Sequence, residues 1–235
     1  PVDHQVEHHH HGAADQHRAR HVAPRRRELL AGVDRGVLYL PDGRGVPWNG
    51  LTSVTETPSG AESNKQYADN VVYLNLVSAE EFGGTIEAFT CPPEFSACDG
   101  LAEPSDGLTV GQQTRSTFGL SYRTKVGNDL AGQDAGYKLH LVYGLLASPS
   151  EKAYQTVNDS PEAMTLSWEV TSTPVKVNDA LKPTSIITVD STKVDAADLA
   201  ALEKRLYGAP AGAGGTPPET FASLPLPAAV LAIFA

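Results

Sequence analysis

The clearest signal along the chain is a period-two alternation of apolar and polar positions that sets in near Val33. In STFGLSYRTKVG (116–127), Phe118, Leu120, Tyr122 and Val126 fall on one side and Arg123 and Lys125 on the other. In YKLHLVYGLL (137–146), Tyr137, Leu139, Leu141, Tyr143 and Leu145 align, with Lys138 and His140 opposite, which makes His140 a solvated strand residue. In TLSWEVTST (165–173), Leu166, Trp168 and Val170 oppose Thr165, Ser167, Glu169 and Thr171. Alternation of this kind belongs to antiparallel strands with one wet face. Weaker runs at 51–57, 70–77, 84–90 and 184–190 read as further strands. Turn-rich breaks separate them, among them PDGRG (41–45), TPSGAESN (57–64) and VGNDLAGQDAG (126–136). The pattern predicts a mainly β protein, an antiparallel β-sandwich or barrel with long loops.

Helical periodicity is confined to two places. VDAADLAALEKRLYG (194–208) predicts one flanking α-helix over about 194–207: Asp195 suits the cap, Asp198 the first turn, Lys204 and Arg205 the last, and Gly208 the stop. Leu199, Leu202 and Leu206 make its apolar stripe. Ser78 and Glu81 form an S-x-x-E capping pair, which predicts a single helical turn ended by Gly83 and Gly84. Beyond Gly208, APAGAGGTPPET reads as a flexible linker, and LPLPAAVLAIFA (224–235) as an apolar tail that needs a surface to lie on. The chain thus divides into a His/Arg-rich arm (1–31), a β domain (32–208) and a linker with its tail (209–235).

Composition narrows the picture. With 235 residues, 40% of them hydrophobic, the chain suits one domain of the larger all-β kind, and 21 Gly with 17 Pro agree with many turns. The net charge is −10, unevenly spread: residues 1–35 hold five carboxylates and six arginines, which leaves −11 on the remaining 200. A body so acidic does not grip nucleic acid through its phosphates. No stretch resembles a signal peptide, and the 224–235 run is too short to span a bilayer and contains two prolines, so a soluble protein of the cytoplasm with no membrane partner is expected. Cys91 and Cys98, as C-x6-C, are expected as free thiols in such a compartment.

Candidate chemistry concentrates in EEFGGTIEAFTCPPEFSACDG (80–100), with Glu80, Glu81, Glu87, Glu94, Asp99 and both cysteines. Acid–base catalysis needs two carboxyls held at a set separation across a cleft, with a nucleophile or substrate partner specified nearby. Nothing near this stretch supplies one, so it reads as a turn, a strand with Glu87 on its wet face, and a Pro-stiffened loop. The arm carries His4, His8, His9, His10, His11, His17 and His21; such tracts bind metal, but no H-E-x-x-H arrangement is present, and a solvated arm is the simpler reading. PRRR (24–27) is a weak basic cluster. The residues therefore point to no catalytic set, no metal site and no cofactor, and to a protein that is not an enzyme.

GVDRGVLYL (32–40), YADNVVYLNLVSAEEFGGTIEAFTCPPEFSACDG (67–100) and KPTSIITVDSTKVDAADLAALEKRLYG (182–208) resemble the major tail protein, or tail tube protein, of long, flexible-tailed (siphovirus-type) bacteriophages, and LPLPAAVLAIF resembles the C-termini of that family. The likeness runs over about 32–235. It implies a β-sandwich or barrel of the tail-tube type with a flanking helix. It further implies a structural virion protein that polymerises as stacked hexameric rings into a tube through which the genome passes. The implied partners are further copies of the chain, other tail proteins at the tube ends, and genomic DNA crossing the lumen without specific binding. The implied place is the virion tail, assembled in the host bacterial cytoplasm. Trp48, Leu51, Leu224, Leu226, Val230, Leu231, Ile233 and Phe234 become candidates for subunit contacts, with the 41–70 loop reaching an adjacent ring and the 224–235 tail docking on a neighbour. Two features depart from the family: the arm before residue 32, and Cys91 where an aromatic residue is expected. The rival expectation is a monomeric β-sandwich module that binds a ligand or carbohydrate.

Overall fold

The computed structural model describes residues 29–128, 132–150, 152, 154, 156, 163–210 and 220–235; the His tract and PRRR lie outside them. In chain order the strands are β1 (Leu29–Tyr39), β2 (Gly45–Trp48), β3 (Leu51–Glu56), β4 (Ser59–Gly60), β5 (Ser63–Ala68), β6 (Val71–Val77), β7 (Glu80–Glu81), β8 (Gly83–Ala88), β9 (Ala102–Ser105), β10 (Leu108–Val110), β11 (Phe118–Asn128), β12 (Gly132–Ala147), β13 (Leu166–Ser172) and β14 (Ile186–Asp190). Two helices follow, α1 (Ala196–Tyr207) and α2 (Pro227–Ile233). The protein is mainly β, and its strand pairs are antiparallel. The main sheet runs β2-β1-β11-β12-β13-β8-β3, with β14 added beside β12. Its two end strands, β2 and β3, are joined by the short Asn49–Gly50 turn, so the sheet rolls upon itself.

Rolling creates two cores, one on each face of the same strands. Inside lie Leu38, Trp48, Ile86, Phe95, Phe118, Leu120, Tyr122, Val142, Leu145 and Trp168. Their aromatic rings meet edge to face or tilted: Trp48 and Phe95 at 4.8 Å, Phe95 and Trp168 at 5.2 Å, Phe95 and Phe118 at 5.3 Å. Phe95 reaches the interior from a 3-10 turn at Pro93–Ala97. Outside, Val37, Tyr39, Leu139, Leu141, Tyr143 and Val189 face Leu199, Leu202 and Leu206 of α1 and Val230 of α2. Tyr39 locks this layer by donating its hydroxyl hydrogen to the Leu206 carbonyl at 2.9 Å, with Ser121 Oγ 3.0 Å away.

The alternation read from β11 and β13 holds: Phe118, Leu120, Tyr122, Trp168 and Val170 all point inward. In β12 it holds only to Tyr143. Leu145, expected on the face of Tyr143, points into the opposite core. The cause is a bulge: Phe118 and Leu120 of β11 pair with Leu145 and Val142 of β12, one residue more on the second strand. Gly144 absorbs the slip at φ 60, and a Cβ there would stand 2.5 Å from the Thr173 carbonyl oxygen, so glycine alone fits. Below the bulge β12 pairs with β14 (138–142), and above it with β13 (145–147).

α1 forms as its signals predict, with the Asp195 carboxylate accepting from the Ala197 N–H at 2.8 Å and Gly208 ending it at φ 72. The turn expected at 78–81 does not form. Glu80 and Glu81 pair as a strand with Ser59 and Gly60, and Ser78 Oγ accepts the Glu62 N–H at 3.0 Å. A lone helical turn has a costly nucleus, and cross-strand bonds win. The tail holds a short helix that periodicity did not reveal, begun by Pro227 at its first turn. Strand β1 also starts at Leu29, inside the segment expected to be arm.

Leu202 is fully buried between helix and sheet, whereas Leu226 is 64% exposed. Leu202→Ala is expected to cost about 2–5 kcal/mol, and Leu226→Ala to stay within about 0.5 kcal/mol, as read from urea midpoints at unchanged slope.

Candidate functional site

Between β3 and β8 the chain leaves the barrel and returns, building a jointed arm. The Thr57 N–H donates to the Gly83 carbonyl at 2.8 Å, and the two-residue ladder of β4 with β7 follows. At the joint, Gly60 has φ 84 and Ala61 φ 53, and a Cβ on Gly60 would meet the Ala79 carbonyl oxygen at 2.2 Å. Beyond the joint, β5 and β6 pair as a hairpin closed by Asp69 and Asn70, at φ 49 and 62. Two left-handed residues in succession match the twist of a two-residue hairpin turn, and Asp and Asn tolerate that region better than other side chains.

Every residue of β5 and β6 is exposed. On β6, Val72, Leu74 and Leu76 share one face, and Val71, Tyr73 and Val77 the other; Tyr67 of β5 adds a further ring. A strand apolar on both faces is built for burial on both faces. An isolated hairpin is marginal in water, and contiguous exposed apolar surface marks a contact surface.

The root of the arm is held by a polar cluster at one end of the barrel. Tyr122 donates to Glu56 Oε1 at 2.5 Å, and His140 Nδ1 lies 3.4 Å from the same oxygen. The imidazole stacks flat on the Tyr122 ring at 4.6 Å, with Thr124 Oγ1 2.9 Å from Nε2 and Thr188 Oγ1 3.4 Å from Nδ1. His140, expected in solvent, is therefore buried: it pairs with Tyr122 across β11 and β12, on the inward side. The hydrogen bond with His140 is the largest influence on Glu56 and, with the Tyr122 bond, holds its carboxyl below the ordinary glutamate value against the opposing effect of burial. Burial above all pushes the Tyr122 phenol far up, so it stays protonated as the donor.

The carboxylates of 80–100 go to separate duties. Glu80 and Glu81 are exposed at the base of the arm, Glu87 accepts from Ser53 Oγ at 2.9 Å, and Glu94 lies 3.9 Å from Arg44. Asp99 is buried, with Lys152 at 2.6 Å and Arg115 at 3.5 Å; Arg115 also donates to the Ala147 carbonyl at 3.2 Å. This cluster ties three loops together, and its partners lie 16 and 53 residues from Asp99, beyond the reach of any local motif. Cys91 and Cys98 are free, as expected. Burial and then Asp99 raise both thiols, Cys98 to about 11, which leaves them protonated at neutral pH. Among the described residues no group of three or more His, Cys, Asp or Glu is placed to hold a metal, and no helix is long and apolar enough to cross a membrane.

The subunit-contact candidates divide. Trp48 is 1% exposed and anchored by its Nε1–H to the Thr90 carbonyl at 2.8 Å, so its ring belongs to this chain's own interior. Leu51 packs half-buried against the same core. Val230 is 2% exposed, and Leu224, Ile233 and Phe234 pack beside it on the outer core of the same copy. The tail is further pinned by Tyr143 Oη to the Pro225 carbonyl at 3.0 Å and by the Gly45 and Ser223 N–H groups, which donate to the Ala222 and Arg205 carbonyls at 2.8 Å. These contacts are made within the chain, and of the tail's contact candidates Leu226 and Leu231 are the exposed ones. The surface missed from sequence is β6. Its run VVYLNLV reads only as a further strand, because the sequence pattern does not say whether either face finds a cover.

No protein-family model matches the chain, and no curated protein matches it. Its class rests on geometry: an antiparallel β-barrel, clad on one side by helices, that carries a bare apolar hairpin on a jointed stalk.

A glutamate whose folded pKa lies below its unfolded one adds stability above the unfolded value and loses it as pH falls through the folded value. The stability difference between the parent chain and Glu56→Gln is therefore expected to shrink as pH drops from 6 to 3. Urea unfolding across that range checks it, and a pH-independent difference would remove Glu56 from the account.

Proposed function

We propose that this chain is the wall subunit of a bacteriophage tail tube, a structural virion protein that closes into hexameric rings which stack into a conduit for the genome. The observation that carries it is the β5–β6 hairpin, exposed throughout, held clear of its own barrel and apolar on both faces of β6. The resemblance of 32–235 to tail tube proteins, which supplies the six-fold ring, supports the same assignment. A repeated subunit needs a contact surface that differs from the surface receiving it, so that copies add head to tail. An arm on one side of a rigid barrel answers that need. The partners are then other copies, other tail proteins at the tube ends, and DNA in the lumen; the place is the virion tail, assembled in the bacterial cytoplasm.

Charge fits a conduit. A body of net −11 repels phosphates, and DNA that slides must not stick. Assembled tubes are expected to show no salt-dependent affinity for duplex DNA, and micromolar binding at physiological salt would count against the proposal.

The second reading, a monomeric ligand- or carbohydrate-binding module, has one observation behind it: a hollow of about 340 Å³ beside Arg35 and Tyr207. Negative-stain microscopy of the concentrated protein separates the two, with rings or tubes on the first and single particles on the second. Replacing 61–79 by a short Gly-Ser turn is expected to leave a folded, monomeric barrel and abolish tubes. Tubes at normal yield from that variant would remove the hairpin as the assembling element. Deleting 224–235 is a poorer test, because it strips Val230 from the outer core.

A further inference from the structure

The same hollow combines apolar walls with an exposed cation. Its apolar walls are Val37, Pro47 and Ala222, and its polar groups come from Arg35, Asn49 and Tyr207. Arg35 stands at φ 49, where the register of β1 against β11 slips between Asp34 and Val37. The bulge sets its guanidinium over the Tyr207 ring, 5.5 Å from the centroid. The neighbouring Asp34 has both carboxylate oxygens on Arg123, at 2.6 Å each. Arg35 is therefore an exposed cation, braced by a ring and without a carboxylate of its own among the described residues.

The hairpin carries the complement. Residues 63–77 contain a single acid, Asp69, and it sits at the tip, between Tyr67 and Val71. In the single chain Asp69, Arg35 and Asn49 are all exposed, so the tip does not fill its own hollow. We propose that the hairpin tip of one copy seats in the Arg35 hollow of another, with the Asp69 carboxylate on the Arg35 guanidinium and Tyr67 and Val71 against the apolar walls.

This assignment rests on the tube proposal and names the surface that receives the arm. A carboxylate on a guanidinium braced by an aromatic ring is a charge-assisted pair with defined geometry. It fixes register, while the apolar strands behind it supply area. The β6 face then lies along the outside of the receiving barrel, the cover it lacks in the single chain. The contact is heterologous, arm to hollow, and so propagates from copy to copy.

Charge reversal tests it in the full chain. Asp69→Arg and Arg35→Glu are each expected to lower tube yield about tenfold by placing like charges together, and the double variant to restore it to within about twofold. Thermal melts check that each barrel is intact. A cross-link that leaves both Asp69 and Arg35 untouched gives an independent readout: Asn70→Cys with Asn49→Cys, in a Cys91→Ser background, is expected to yield a ladder of covalent oligomers on oxidation that neither single variant gives. Parent tubes with no rescue by the double variant and no ladder would overturn the hollow as receiver and leave the tube proposal standing. A parent chain that stays monomeric at high concentration would overturn both.

Discussion

The barrel and its helical coat both depend on one change of face within β12. Above Gly144 the strand gives Leu145 and Ala147 to the interior, and below it Leu139, Leu141 and Tyr143 to the exterior. Without the bulge Leu145 would lie beside Tyr143, and the interior would lose a residue that packs with the Trp48, Phe95 and Trp168 group. The same glycine lets β13 and β14 divide one long strand between them. A sheet with both faces dry must be covered twice, once by rolling and once by helices. α1 and α2 provide the second cover, and the tail is thereby drawn onto its own copy.

That outcome explains which parts of the molecule could be read from its residues. Strand β13 and helix α1 are legible because each has one buried face, and β11 because its large apolar residues all fall on the inner face, with Gly119 and Ser121 on the other, so local periodicity and caps report the packing directly. Legibility failed where packing is decided at a distance. Leu145 follows a register slip that depends on β11. His140 is polar by type and falls on the polar side of the pattern, yet it is buried because Tyr122 stacks on it and Glu56 reaches it from β3. Trp48, the obvious large side chain of a long loop, was expected at an interface. It fills the interior because the Asn49–Gly50 turn brings the end strands of the sheet together. The S-x-x-E pair at Ser78 is a real local signal overruled by pairing between β4 and β7. Asp99 looked like one acid among several, and its role appears only when Arg115 and Lys152 arrive from elsewhere in the chain.

The arm combines a rigid root with a narrow joint. Glu56 is fixed by Tyr122 and faced by His140 on the barrel side, so the polypeptide leaves β3 in a set direction. At Gly60 the close approach to Ala79 leaves no room for a side chain, which restricts the angles the hairpin can take. Ordering a mobile segment on contact is costly, and that cost is subtracted from the affinity of every joint in a polymer. An arm already paired, closed by a tight turn and aimed by its root keeps most of its contact energy for the contact itself.

An apolar hairpin in solution is also a hazard, since unpaired strand edges and greasy faces invite indiscriminate association. Two features restrain it. The net charge of −10 makes any two copies repel at long range, so only a contact with good local complementarity holds them together. The tip then meets a surface that is acidic on balance, and a carboxylate there is rejected almost everywhere. Arg35, lifted out of its strand by the bulge and set against Tyr207, is a place where that carboxylate is welcome. A single acid at the tip of a hairpin whose one other charge, Lys65, sits back along β5 thus does more than add one ion pair. In the proposed contact it makes an apolar surface hold best where the tip finds its cation, as a wall of identical subunits in one fixed register would require.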